Sequence, residues 1–444
     1  MRRNNKTTRF TQTAKKTMPL LLVGILSLAP ACGSDKGKTQ SAPLPPVELV
    51  FYDGSGDWQP DQFDKEIAQP LQTKYPHLVP KFIPYTNAGK MQELITAGET
   101  PDIIYVSTGL VYDHVIKYEL QTDITDLIKK NNYDMGKIEP AAVNMMKQLG
   151  NGQIYGLPAF MAPSPLYYNK DIFDKFGVAY PKNDASWDDL YDLAKRLTRK
   201  DGDQQYYGFM LSPSHLAVRN QLSLPLIDPA TETASFADDR WKPFFENFIR
   251  FYQIPGYVMD ATTADTTNQR NKFTKDRTVA MWLPVSTLHT ASELQGMNWD
   301  MATFPTYKGM PGVGPQPYPV SFYITKTSKH KDQAFQAISY IATEEYQLPI
   351  VKKGIFHTAL KSEPLRNAFG QEADMYKGKN TKAMLPQNYS PGAPLTKYNN
   401  VSRDRLYVAY LEVVRGLKDL NTALRDAEEK TNQKIKELKT ADAK

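Results

Sequence analysis

Side chains able to hold or transform a small polar molecule gather in a few short stretches of this 444-residue chain. Asp53, Ser55, Asp57 and Trp58 follow the run VELVFY at Val47–Tyr52. Ser107 and Thr108 follow PDIIYV at Pro101–Val106, and Ser212, Ser214 and His215 follow YGFML at Tyr207–Leu211. Each group stands just past an apolar, β-prone run, where a loop at a strand's carboxyl end would carry it. Flat rings mixed with carboxylates and hydroxyls suit a sugar. The C–H faces of a sugar ring stack on aromatics, and its hydroxyls need paired donors and acceptors. Such side chains could hold a polar molecule through paired hydrogen bonds and ring contacts.

Nothing in the sequence marks a reaction. The six histidines, at positions 77, 114, 215, 289, 330 and 357, show no His-x-x-x-His pair, so no metal site is expected. The sequence contains no Walker A loop, no G-x-G-x-x-G and no G-x-S-x-G, and no cofactor is implied. A secreted polysaccharide-active enzyme stays open as an alternative only if two carboxylates meet in space across a cleft. A binding protein for a peptide, a polyamine or an organic anion also stays open.

These loops need a scaffold, and the patterning supplies one. Val47–Tyr52, Leu78–Pro84 and Pro101–Val106 read as strands. Between them Phe63, Ile67 and Leu71 recur on one helix face, with Pro70 expected to kink it, and Met91–Ala97 forms a helix that Gly98 stops. Farther on, Tyr167–Asn169, Thr278–Leu283 and Val320–Ile324 are extended, while Trp187–Leu197, Trp241–Tyr252, Asp332–Ala342 and Tyr407–Leu417 are helical. Ser186 is placed to cap the helix that Trp187 begins, with Asp189 three residues on. Asp419–Leu438 reads as a terminal surface helix. Alternating β and α segments predict parallel sheets covered by helices.

The first residues read as an address. Arg2, Arg3, Lys6, Arg9, Lys15 and Lys16 precede an apolar run at Met18–Leu28. That run is shorter than the roughly 20 residues a bilayer span requires. A basic leader, a short apolar core and small residues after it make a secretory signal peptide, here residues 1–31. The chain has 54 basic and 48 acidic residues; without the six basic leader residues the balance is neutral. Nucleic acid is therefore not an expected partner. Leu28-Ala29-Pro30-Ala31-Cys32-Gly33 resembles the bacterial lipobox, and Cys32 is the chain's single cysteine. This predicts a lipidated Cys32 and a flexible polar tether through residue 46, with the protein anchored on the extracytoplasmic face of the cell membrane.

Four ordered blocks carry a family resemblance. They are GETPDIIYVSTG (Gly98–Gly109), GQIYGLPAFMAPSPLYYNKDIFDKFGV (Gly152–Val178), FTKDRTVAMWLP (Phe273–Pro284) and ITKTSKHKDQAFQAISYI (Ile324–Ile341). The chain resembles the extracellular solute-binding proteins of ABC importers, family 1, the group of maltodextrin and oligosaccharide binders. The resemblance implies an α/β, periplasmic-binding-protein-like fold of two α/β lobes joined by a multi-segment hinge. Residues 47–160 with 320–357 would form one lobe, and 161–319 with 358–444 the other. The chain would cross between lobes near Ala159–Pro163, Pro317–Phe322 and Lys353–Leu360. It further implies a monomer that passes a carbohydrate to ABC permease subunits. The ligand-binding residues it points to are Asp53, Trp58, Ser107, Thr108, Phe160, Met161, Tyr168, Ser212, His215, Trp282 and Arg403.

Overall fold

The computed structural model describes residues 44–236, 239–284 and 291–442. The signal peptide expected over residues 1–31, Cys32, the tether up to residue 43 and His289 lie outside the described residues.

In chain order the strands are β1 (Val47–Asp53), β2 (Leu78–Ile83), β3 (Ile103–Ser107), β4 (Gly156–Met161), β5 (Leu166–Asn169), β6 (Arg199–Asp201), β7 (Gln204–Leu211), β8 (Val279–Leu283), β9 (Trp299–Ala302), β10 (Pro319–Ile324) and β11 (His357–Thr358). They form two sheets, ordered β11-β4-β10-β3-β1-β2 and β6-β7-β8-β5-β9. Every residue of β3, β4, β8 and β10 is buried, which explains why these segments read as unbroken apolar runs rather than alternating ones.

The sheets differ from the all-parallel expectation. β1 pairs in parallel with β2 and β3, but β10 is antiparallel to both β3 and β4. In the second sheet β7 and β8 are parallel, and β5 is antiparallel to β8 and β9. The antiparallel members β5 and β10 lie at the connections between the sheets. A strand that arrives from the other lobe can enter against the local direction, with no crossover helix to turn it round.

Local sequence explains the flanking helices. Phe63, Ile67 and Leu71 all face the core. The helix that carries them runs from Pro60 to Lys74 with a π segment at Asp64–Ala68, just before Pro70. A proline cannot donate the i→i−4 hydrogen bond and clashes with that carbonyl, and a wider local turn relieves both problems. Gly98 adopts φ 73° and closes the helix Lys90–Ala97. The helix Trp187–Leu197 starts with a capping box: Ser186 Oγ accepts from the Asp189 N–H, and Asp189 Oδ2 accepts from the Ser186 N–H at 2.8 Å.

Two apolar cores result. One fills around the first sheet with Leu49, Phe51, Ile104, Leu157, Phe322 and Ile338. The other packs the helices Trp187–Leu197, Trp241–Tyr252 and Asn399–Val414 on the second sheet through Leu190, Phe209, Phe248 and Tyr410. The first core also extends over Tyr167, Trp282, Trp299 and Tyr376. There Lys379 donates to the Trp299 carbonyl at 2.7 Å and Asn380 Nδ2 to that of Met301 at 3.1 Å, fastening residues 376–380 to β9.

Candidate ligand-binding cleft

The three segments anticipated as connections meet side by side. Met161 at the end of β4 is paired with Pro319 of β10 on one side and His357 of β11 on the other. Around this junction lies a cavity of about 290 Å³. The connections supply Met161, Ala162, Pro163, Tyr318, Val320, Ile355, Phe356 and His357 to its wall. Ser55 and Asp57 come from the loop after β1, Ser107 from the end of β3 and Leu110 from the turn that follows it. His215 from the helix Pro213–Val218, Arg403 from the helix Asn399–Val414, and Phe369 complete it. A neighbouring cavity of about 300 Å³ shares His215, Tyr318 and Arg403 and adds Gly109, Arg219, Asn400 and Tyr407. Larger hollows of about 940 and 720 Å³ lie elsewhere, but their linings take nothing from the loops after β1, β3 or β7. The crevice at strand carboxyl ends is where α/β sheets hold their ligands.

The loop after β1 is shaped by Asp53. Its buried carboxylate accepts the N–H groups of Ser55 and Gly56 at 2.9 Å and of Trp58 at 2.8 Å. Asp53 therefore serves the backbone and is not in the cavity wall. Ser55 Oγ in turn accepts the Ser107 N–H at 2.8 Å, tying the β1 and β3 loops together. Ser107 Oγ donates to the Tyr318 hydroxyl at 3.4 Å, and Thr108 Oγ1 donates to the Pro319 carbonyl at 2.9 Å.

Asp57 is the carboxylate that reaches the cavity. Solvent touches the residue, yet protein walls surround its carboxyl group. Desolvation by those walls, with the charge of Asp53 adding to it, pushes its pKa up to about 6; a hydrogen bond from Tyr105 works against the rise. Across the cavity, His215 is likewise open to solvent but walled in. Its Nδ1 is 2.7 Å from Ser212 Oγ. Desolvation, helped by the charges of Arg219 and Arg403, pushes its pKa down to about 4, so the ring is neutral at physiological pH.

Aromatic rings form one wall. Phe356 is half-buried, with its ring centroid 4.8 Å from Phe160 and 4.9 Å from Trp58. Phe160 and Trp58 are buried behind it and support it from outside the cavity lining. Trp282 is buried on β8, opposite Tyr167, and Tyr168 packs on Phe173 and Tyr180; neither reaches the cavity. Of the residues named from the sequence, Ser55, Asp57, Ser107, Met161, His215 and Arg403 come together in the cavity wall. Tyr318, Phe356 and His357 join them without having been singled out as contacts; their segments were anticipated as connections, which was the available signal. The arrangement offers a ring platform, hydroxyl partners and one charge of each sign. Among the described residues of its lining, the 290 Å³ cavity has one carboxylate, Asp57.

The sequence profile described as bacterial extracellular solute-binding protein matches residues 56–348. An uncharacterized ABC transporter extracellular-binding protein of Pyrococcus horikoshii is 27% identical over 197 residues, 41% of this chain and 43% of that protein. The arabinooligosaccharide-binding protein of Bacillus subtilis is 28% identical over 194 residues, 41% of this chain and 42% of that protein. The chain thus matches less than half the length of these relatives. An ABC substrate-binding protein of Listeria monocytogenes, solved with cycloalternan, superposes with a TM-score of 0.69 at 18% identity, covering 88% of this chain and 99% of that one. That likeness shows the fold: two α/β lobes of the periplasmic-binding type. The family and the relatives matched are binding proteins, not enzymes.

Proposed function

From the premise that this chain belongs to the bacterial extracellular solute-binding proteins, we propose that it captures a sugar or short oligosaccharide by hinge closure and delivers it to the permease subunits of an ABC importer. In this reading Cys32 is the lipidated first residue of the mature chain. Residues 47–160 with 320–357 move against 161–319 with 358–444. Ser107, Met161, His215 and Arg403 touch the solute together with Asp57, Tyr318 and Phe356. Asp53, Trp58, Thr108, Phe160, Tyr168, Ser212 and Trp282 act behind them by holding the loops and rings in place.

The observation that carries the reading is the cavity at Met161, lined at once by the loops after β1 and β3, by the connecting segments and by two helices of the second core. A solute there touches both bodies. It favours the closed arrangement by whatever it gains over the open one.

Small-angle scattering and thermal melting, run against arabino-oligosaccharides, cycloalternan, maltotetraose and mannitol, test this. A bound sugar is expected to shrink the particle and raise the melting temperature, by about 2.7 kcal/mol of stability at a hundred-fold excess over Kd. If no sugar in a broad panel does either, the carbohydrate reading fails. Mass spectrometry of the mature N-terminus tests the lipid on Cys32.

A further inference from the structure

Arg219 is buried on the turn that follows the helix Pro213–Val218. Its side chain donates to three main-chain carbonyls: Nη1 to Pro163 at 3.2 Å, Nη2 to Ala162 at 3.3 Å and Nε to Gln316 at 3.2 Å. The Arg219 carbonyl accepts the Gln316 N–H at 3.1 Å, so the two residues are paired in both directions. Gln316, also buried, donates its amide to the Asn220 carbonyl at 2.9 Å and accepts the Ala393 N–H at 2.6 Å. The guanidinium lies 5.5 Å from the centroid of Tyr318, whose ring lines both cleft cavities.

These contacts fall at the ends of two connections. Ala162 follows Met161, the last residue of β4, and Gln316 stands three residues before Pro319, the first of β10. Tyr318 sits between Pro317 and Pro319. Pro319 disfavours the helical region for Tyr318, and Pro317 has its own φ fixed by its ring.

We infer that Arg219 is the positioning residue of the hinge: it fastens both connections to the second lobe, confines bending to Met161–Ala162 and Pro317–Pro319, and backs the Tyr318 ring so that the opposite face meets the solute. The planar guanidinium can serve three carbonyls at once in fixed directions, which a lysine ammonium on a flexible stem cannot. Gly109 sets the other end of the same ring, because a Cβ there would collide with the Tyr318 hydroxyl. This role rests on closure as proposed above, but its test needs no sugar. A failed sugar panel and a failed hinge role are therefore separate results.

The experiment is amide hydrogen exchange on the ligand-free full chain, alongside ring resonances of tyrosine-labelled protein with Tyr318 assigned through Tyr318→Phe. Arg219→Gln is expected to speed exchange at the Ala162 and Gln316 amides about ten-fold or more, with residues 103–107 and 279–283 unchanged, and to shift the Tyr318 ring signal. Arg219→Lys keeps the charge but loses the fork; it should fall between wild type and Arg219→Gln, and it carries the test if the glutamine variant does not fold. Gly109→Ala should shift the ring signal while leaving exchange at Ala162 and Gln316 as in wild type. Exchange at those two amides within two-fold of wild type in Arg219→Gln overturns the inference. A uniform rise that includes residues 103–107 also overturns it, since Arg219 would then be a general stability residue.

Discussion

Tyr105, buried in the first sheet, donates its hydroxyl to Oδ2 of Asp57 at 3.2 Å, so the acid that lines the cleft is held from beneath by the core. Burial raises the pKa of Asp57 from 3.8 to about 6. The folded chain therefore holds this proton more tightly than the unfolded chain. The resulting stabilisation is complete below pH 3.8 and is lost as pH rises through about 6. At neutral pH the ionised carboxylate opposes folding. Asp57→Asn should raise the melting temperature at pH 7.5, and the gain should vanish as pH falls towards 4. On the proposed sugar-binding role, affinity should drop roughly ten-fold or more, as expected for a lost hydrogen bond to a charged group. Melting curves and calorimetric titration at both pH values check the two effects.

His215 titrates in the opposite sense. Its pKa falls from 6.5 to about 4, so the unfolded chain takes up a proton first. The stability it supports is complete above pH 6.5 and is lost as pH falls through about 4. Wild type should lose stability relative to His215→Asn across that interval. The imidazole resonances of His215 should still report a neutral ring at pH 5.5. A ring that protonates near pH 6.5 would contradict the walled-in environment.

Phe160 and Phe356 stack on each other but answer to different measurements. Phe160 is fully buried, and Phe160→Ala should cost about 3–5 kcal/mol of stability. Phe356 is half-buried and lines the cavity, so Phe356→Leu should cost only about 1 kcal/mol while weakening sugar binding about five-fold. Urea unfolding beside calorimetric titration separates the two roles.

Ser186→Ala removes half of a capping box and should lower stability by about 1 kcal/mol, moving the urea midpoint at constant slope. An unchanged midpoint would mean the helix start is held by Trp187, whose Nε1 donates to Gln221 at 2.8 Å.

That cap was legible because the signal is local: a serine, an acid three residues on and an apolar face beyond. The same holds for the helix Trp241–Tyr252, whose limits match the aromatic periodicity residue for residue. Sheet direction was less legible. β10 pairs with β3, more than two hundred positions earlier in the chain, and with β4, about 160 positions earlier, and no local pattern encodes which way such a strand enters. In the cleft, the loops after β1 and β3 could be found because turn residues follow apolar runs. Phe356 and His357 lie in a short connection without periodicity, so their part in the wall arises only from the pairing of His357 with Met161. Trp58 and Trp282 show the converse problem. Trp282 lies within β8, every residue of which is buried, and Trp58 in the loop past β1, and neither place carries a parity signal to say whether the ring packs inward or faces the groove.

The position of β10 also governs when the protein can become itself. It is the inner strand between β4 and β3, yet a ribosome reaches it only after residue 318. Until then the first sheet has two fragments that cannot join, and every apolar face beside the gap stays wet. Pairings of this sequence separation close slowly. A chain ending at residue 318 is expected to leave the first sheet protease-sensitive, whereas one extended past Ile341, with the helix Lys331–Ile341, should close it. Closure of the first sheet is thus deferred to the last third of synthesis.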